Sequence, residues 1–205
     1  MTEEKSHMKI LLVGANGTIG RAVRQALSRH QVLAAGRDSG ELRVDMSQPD
    51  SIRALFERTG NVDAIVSAAG LLHLGPLAEM TPEQFRIGLD SKLMGQVNLV
   101  LIGQRFLNAG GSITLTSGMG NEIPLRHGSN ACAVNAAIEG FARGAAVELA
   151  AGLRINAVCP SVLQESWEPL QSYFPGFEAV PAARVARAYQ RSVEGVETGQ
   201  VFKVW

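Results

Sequence analysis

Short runs of consecutive apolar residues alternate along this chain with longer stretches in which apolar positions recur every three or four residues. The first pattern marks strands buried on both faces of a parallel sheet, and the second marks helices with one packed face. The strands so predicted are Ile10–Val13, Gln31–Ala35, Leu42–Val44, Val62–Val66, Ser112–Thr116, Leu153–Val158 and Gln200–Trp205. Between them helical periods begin at Ile19, Pro49, Pro82, Ala131 and Pro181. Thr81-Pro82 is a helix start, with threonine as N-cap and proline in the first turn. That helical stretch runs to Asn108 as two helices meeting near Leu89–Ser91, and Gly110-Gly111 ends it. Its second part, Leu93–Phe106, is apolar on nearly all sides, more than one sheet face accounts for. Ala131–Ala150 is rich in Ala and Gly, with Glu139 and Arg143 spaced as a favourable i,i+4 pair. Strand and helix alternate from end to end, which predicts an α/β fold, a three-layer, doubly wound parallel sheet of about seven strands.

The sharpest local signal is Val13-Gly14-Ala15-Asn16-Gly17-Thr18-Ile19-Gly20, between the first strand and the first helix. A strand, a glycine turn and a helix in that order gather backbone N–H groups and the positive end of a helix dipole at one point, where a pyrophosphate is held. Gly14 turns the chain, Gly17 admits the phosphates and Gly20 lets helix and strand pack closely. Asn16, Thr18 and Ile19 complete the expected binding turn. A glycine-rich turn that binds nothing is the alternative; the strands and helix around this one argue against it.

Composition narrows the picture. The 205 residues suit one domain, expected over 9–205, and a 46% hydrophobic fraction can fill its core. Residues 1–8 are polar and charged and are expected to form a disordered tail, Ser6-His7-Met8 reading as an expression remnant or an alternative start. Lys and Arg together number 19, as do Asp and Glu, so no global field draws nucleic acid or an acidic membrane. No apolar run is long enough to span a bilayer. Cys132 and Cys159 lack metal spacing and lie in apolar settings, so buried thiols in a reducing compartment are expected and no metal site is. A cytoplasmic location follows.

Asn135-Ala-Ala-Ile-Glu-Gly-Phe-Ala-Arg with Glu148-Leu149-Ala150, the run Leu153-Arg154-Ile155-Asn156-Ala157-Val158-Cys159-Pro160, and Thr198-Gly199-Gln200-Val201 resemble segments of the short-chain dehydrogenase/reductase family. The resemblance extends from Lys9 to Trp205. It implies a Rossmann fold with strand order 3-2-1-4-5-6-7 and a nicotinamide dinucleotide as cofactor. It extends the cofactor-binding set to Asp45 near the adenine, to Ala68, Ala69 and Gly70 after the fourth strand, and to Pro160 and Val162 after the sixth. It implies a homodimer or homotetramer formed through the helices 92–106 and 131–150, and a small-molecule substrate.

The family's catalytic residues are only partly matched. Its Tyr-x-x-x-Lys pair falls on Ala131 and Asn135, its serine on Ser117 or the glycine beside it, and its asparagine on Lys92. Lys92 and Asn135 each carry the residue type that relatives place at the other's position, so a swap can keep a cation and an amide in one small volume. The alternative is that Lys92 is a helix-start lysine in solvent. At the end of the second strand NAD-binding relatives carry an acid; here Gly36 offers none, and Arg37 can pair with a 2′-phosphate or stand as a surface arginine beside Asp38. NADP(H) is therefore expected ahead of NAD(H). His73 and His127 lie in loops at the carboxyl edge and are candidate proton donors, or structural. Trp167, Tyr173, Phe174 and Phe177 cluster after the sixth strand as an apolar substrate lid, or as a hydrophobic plug or subunit contact. The expected catalytic set is Ser117, Lys92, His73 and Asn135. Two functions stay open, an NADP(H)-dependent oxidoreductase on a small or apolar carbonyl or alcohol with a degenerate active site, and a catalytically silent dinucleotide-binding protein.

Overall fold

In the computed structural model, which describes residues 7–205, seven parallel strands form one sheet in the order β3-β2-β1-β4-β5-β6-β7. They are β1 Lys9–Val13, β2 Gln31–Gly36, β3 Leu42–Arg43, β4 Val62–Ser67, β5 Leu107–Thr116, β6 Arg154–Pro160 and β7 Val201–Val204. Successive side chains of a strand point to opposite faces. Leu11 and Val13 accordingly pack beneath α2 (Pro49–Thr59), α4 (Gly95–Gly103) and α5 (Ser129–Ala146), and Ile10 and Leu12 beneath α1 (Thr18–Ala26) and α7 (Ala182–Glu194). The helices thus cover both faces, and the order reverses between β1 and β4, where open α/β sheets place their ligand crevice.

Residues 1–6 lie outside the described residues, so most of the expected tail does too. Met8, assigned to that tail, instead donates its N–H to His30 Nδ1 at 3.3 Å and packs against the α1/α7 side of the core.

Three element boundaries differ from the sequence pattern. The helical stretch from Pro82 is continuous: α3 (Pro82–Gly88), closed at its start by the Thr81–Gln84 capping box, passes through a π-helical turn, Leu89–Met94, into α4. It ends at Phe106, in a 3₁₀ turn Gln104–Phe106 that closes α4, rather than at Asn108, because Leu107 already pairs with Val62. Gly110-Gly111 therefore lies inside β5, in a bulge where the register jumps from Val62↔Leu107 to Ala64↔Ser112. Gly110 turns it with a φ of +75°, and Asn108 Nδ2 donates to Asp63 Oδ1 at 2.7 Å to close it. Finally, α5 stops at Ala146, not Ala150, and the chain turns through Ala151 (φ +56°) and Gly152 (φ +70°) into β6.

Between β6 and α7 the chain forms α6 (Trp167–Leu170) flanked by 3₁₀ turns. Phe174 is buried there against Met119, Cys159 and Val162, with Trp167, Tyr173 and Phe177 packed around it. Cys159 is buried, and half-buried Cys132 donates its S–H to the Gly120 carbonyl. Among the described residues no helix is long and apolar enough to cross a membrane, and no three His, Cys, Asp or Glu side chains gather as a metal site.

Candidate active site

The glycine turn builds one side of a cleft at the carboxyl ends of β1, β2 and β4. Gly14 takes a φ of +85°, and a Cβ there would sit 2.6 Å from the Ala68 carbonyl oxygen; a Cβ on Gly20 would sit 2.0 Å from the Gly14 carbonyl oxygen. Both are held to glycine by backbone contact. A Cβ on Gly17 would approach only the Gly14 oxygen, at 3.4 Å, so its other side is open to the cleft. Gly17 is the N-cap of α1 and brings no side chain to the N–H groups of the first turn, which leaves them for a ligand. Arg21 holds the Asn16 carbonyl at 2.7 Å and fixes the turn; Thr18 is the first residue of α1.

The cleft measures about 230 Å³ and is lined by Gly14, Asn16, Gly17, Arg37, Asp45 and Ala69 among others. Asp45 accepts from the N–H and hydroxyl of Ser47 at 2.9 and 2.7 Å, which holds its carboxyl below the usual range. Arg37 stands at the rim, 3.2 Å from Asp38, both well exposed.

A second cavity, of about 370 Å³, adjoins the cleft and shares Ala69 and Gly70 with it. Its walls are apolar, with Ile19, Leu74, Met119, Leu125, Val162 and Phe174 among them, and Ala68, Pro160 and Ala131 also face it. Of the side chains lining it, only Lys92 titrates.

Lys92 reaches the cavity from the π turn and is 7% exposed, so it is not a lysine in solvent. Its Nζ donates to the Ser117 carbonyl at 2.9 Å and to Asn135 Oδ1 at 2.7 Å. The cation and the amide therefore do share one small volume. Burial pushes the Lys92 ammonium down to about 8. Gly70 lets the lysine pass, since a Cβ there would lie 2.6 Å from Lys92 Cγ.

The Ser117 hydroxyl does not point a free proton at the cavity, because it donates to Glu139 Oε1 at 2.8 Å. Glu139 is 2% exposed and also accepts from Asn121 Nδ2 at 2.9 Å. Its pairing with Arg143, at 3.5 Å, is present but is the longer contact. The sequence pattern showed Glu139 only as the partner of Arg143; the signal for its place beside the site is its spacing with Ala131 and Asn135, an i, i+4, i+8 row on one face of α5. The Cys159 thiol, beneath Ser117, is pushed up to about 11 by burial.

Neither candidate histidine lines either cavity. His73 donates its backbone N–H to Asn130 Oδ1 at 3.0 Å, and His127, at a φ of +64°, sets its ring edge-on to Tyr173. Asn130 is a positioning residue that the sequence pattern did not single out. Buried at the start of α5, it also donates to the Phe85 carbonyl at 2.7 Å, tying the loop after β4 to α3. Glu165, after β6, turns away from the cavities and accepts the Ala182 N–H at 3.0 Å at the start of α7.

The family model described as enoyl-(acyl carrier protein) reductase matches residues 9–202. The chain belongs to the short-chain dehydrogenase/reductase family. Among similar solved structures, the protein lin1944 from Listeria innocua is 49% identical, with a TM-score of 0.95, over 97% of this chain and 100% of that one. A small-chain dehydrogenase crystallised in complex with NADPH is 29% identical, with a TM-score of 0.86, over 97% of both chains. An uncharacterized oxidoreductase of Mycobacterium tuberculosis is 28% identical over 183 residues, 77% of this chain and 68% of that one. The strand order 3-2-1-4-5-6-7 and the flanking helices are those of the short-chain dehydrogenase/reductase fold.

Proposed function

We propose that this protein is an NADP(H)-dependent oxidoreductase acting on a small, apolar carbonyl or alcohol, with an active site that departs from the family's Tyr-x-x-x-Lys pattern. The observation that carries the reading is the junction of the two cavities at Ala69 and Gly70: a cleft built for a dinucleotide opens into an apolar chamber with one cation in its wall. The residues fit that cofactor. The open side of Gly17 and the uncapped start of α1 suit the pyrophosphate, Asp45 suits the adenine end, and Ala68–Gly70 with Pro160 and Val162 flank the nicotinamide end. The NADPH held by a 29%-identical relative supports the same assignment.

Arg37 supports NADPH over NADH. Its contact with Asp38 is exposed on both sides, and such pairs are worth about 1 kcal/mol or less, so the guanidinium is free to turn to a 2′-phosphate. When bound, the reduced nicotinamide supplies a hydride to the substrate carbonyl carbon. The chain's part is to exclude water from the chamber, orient the substrate with its apolar walls and provide a cation beside the reacting oxygen. Calorimetric titration tests the reading. NADPH is expected to bind at least tenfold more tightly than NADH, a difference of about 1.4 kcal/mol, and Arg37→Asp to narrow or invert that preference. Equal affinities, or no binding of either, would refute it.

A second reading, a silent dinucleotide-binding protein, draws on Ala131, which puts a methyl group where relatives carry the catalytic hydroxyl. The two readings part on whether any carbonyl in a broad panel consumes NADPH. We further propose that residues 9–205 act as one domain in the cytoplasm, and that copies assemble as a dimer or tetramer through α4 and α5.

A further inference from the structure

We propose that Lys92 is the proton donor of this site, its Nζ protonating the oxygen of a carbonyl bound in the chamber that Ala131 leaves open. The inference rests on the oxidoreductase reading above. Reduction places a hydride, one proton with two electrons, on the carbonyl carbon from a dihydronicotinamide. The C–O π pair moves onto oxygen, and that oxygen must gain one proton.

The chamber wall restricts where this proton can come from. Asn135 and Ala131 are not acids, and the Ser117 proton is engaged with Glu139. His73 and His127 lie outside both cavities, and Tyr189 is buried on the α7 side of the sheet, hydrogen-bonded to Thr116. Lys92 is the one titrating group that the chamber touches among the described residues.

The geometry around Lys92 suits the transfer. An ammonium has three N–H donors. Two are taken by acceptors that cannot themselves be protonated near neutrality, the Ser117 carbonyl and Asn135 Oδ1. When the third proton leaves, the Nζ–H bond pair becomes the amine lone pair, and the two remaining N–H groups keep both bonds. The side chain therefore stays in register through the transfer and presents its lone pair to the next proton from solvent. No carboxylate forms an ion pair with it among the described residues.

The groups facing Lys92 are few. They are Gly70 after β4, the Ser117 carbonyl after β5, Asn135 on α5 and the protonated Cys159 thiol on β6. Glu139 stands beyond Ser117 and is engaged by it, and Asp90, on the same turn, is exposed. Burial without a counter-charge leaves the ammonium more acidic than an ordinary lysine, at about 8, close to the operating pH where general acids work best.

The chain has four lysines, so selective ¹³Cε labelling gives four signals, and the one lost in Lys92→Met is assigned. In the cofactor-free protein the Lys92 signal is expected to titrate near 8. With NADPH and an apolar ketone panel, Lys92→Met is expected to lower kcat by about 10²–10⁴-fold with NADPH affinity nearly unchanged. Lys92→Arg is the decisive variant. It keeps the charge but gives up no proton near neutrality, so it restores a lysine that only holds charge or ribose and does not restore a donor. The wild-type kcat for reduction is expected to fall above the Lys92 midpoint. Arg rescue, an unchanged kcat in Lys92→Met, or an ordinary Lys92 midpoint each overturns the donor role while leaving the oxidoreductase reading in place. Failure to bind NADPH overturns that reading instead. Binding with no ketone reduced overturns both the donor role and catalysis and leaves the silent-binding reading.

Discussion

Gly17 and Gly20 stand three residues apart in one turn, yet a methyl group added to each meets different things. On Gly20 it runs into the Gly14 carbonyl, and backbone cannot give way cheaply. Gly20→Ala is expected to lose about 3 kcal/mol of stability or more in urea titrations, at or beyond the upper end of ordinary overpacking. On Gly17, at φ −69°, ψ 171°, any residue fits and the methyl points toward the cleft. Gly17→Ala is expected to melt like the parent and to bind NADPH at least tenfold more weakly, about 1.4 kcal/mol, by calorimetry. Lys92 carries a second residue-scale expectation, read from stability alone. Its ammonium is harder to keep in the folded chain, at about 8, than in the unfolded one, at 10.5, so between these values the unfolded state binds the extra proton. Stability then rises with pH, by at most about 1.4 kcal/mol per unit for one proton. Cys159 works the other way. Its thiol holds its proton to about 11 in the folded chain but to 9.0 when unfolded, which lowers stability between those values. The net expectation is a rise from about pH 8 to 9 that levels off above 9, and Lys92→Met should abolish the rise in denaturation curves.

At the scale of elements, Gln96 joins α4 to the end of β5. Its side chain, fully buried, accepts from the Thr116 N–H at 2.8 Å and donates to the Thr116 carbonyl at 3.0 Å. Ser117, whose carbonyl anchors Lys92, is the next residue. Gln96→Leu strands a buried donor and a buried acceptor, so a loss of about 2 kcal/mol or more is expected in chemical denaturation. Such a contact is invisible in the sequence, where Gln96 is simply a polar residue in an apolar helix. The strands were legible because burial on both faces demands unbroken apolar runs. The start of β5 was not, because Leu107-Asn108-Ala109 continues the helical composition and only the bulge against β4 decides the boundary. The shape of the glycine turn was legible, since the contacts that hold Gly14 and Gly20 to glycine are local. The surroundings of Lys92 were legible only as a swap of residue types; its burial, the engagement of Ser117 by Glu139 and the exclusion of both histidines depend on contacts between elements far apart in the chain.

For the whole molecule, the outer face of α5 is the surface that asks for a partner. Ala133, Ala136, Ala137, Gly140 and Gly144 are exposed along it, and a Cβ on either glycine would meet nothing within 4 Å. Beyond it on α4, Leu101 is 52% exposed. A face of small residues allows two helices to approach closely, and the apolar composition of α4 would find burial in the proposed assembly. Light scattering at micromolar concentration is expected to show a dimer or larger. Gly140→Arg is expected to shift it toward monomer with the far-UV circular dichroism unchanged. A wild-type monomer would end the assembly proposal.

The π turn at Leu89–Met94 bears on how this chain can gain or lose residues over evolutionary time. Its i→i+5 bonds accommodate one residue more than an α-helical turn of the same rise. Deleting one residue between Leu89 and Ser91 would let the ladder close as ordinary helix with every position of α4 kept in place. Because the extra residue is taken up inside that one wide turn, α3 would keep its face as well, and Phe85 would still present its carbonyl to Asn130. An alignment that slides by one residue at this point would thus be a shortening that leaves the run of the helix unchanged, its effect confined to the turn that carries Lys92.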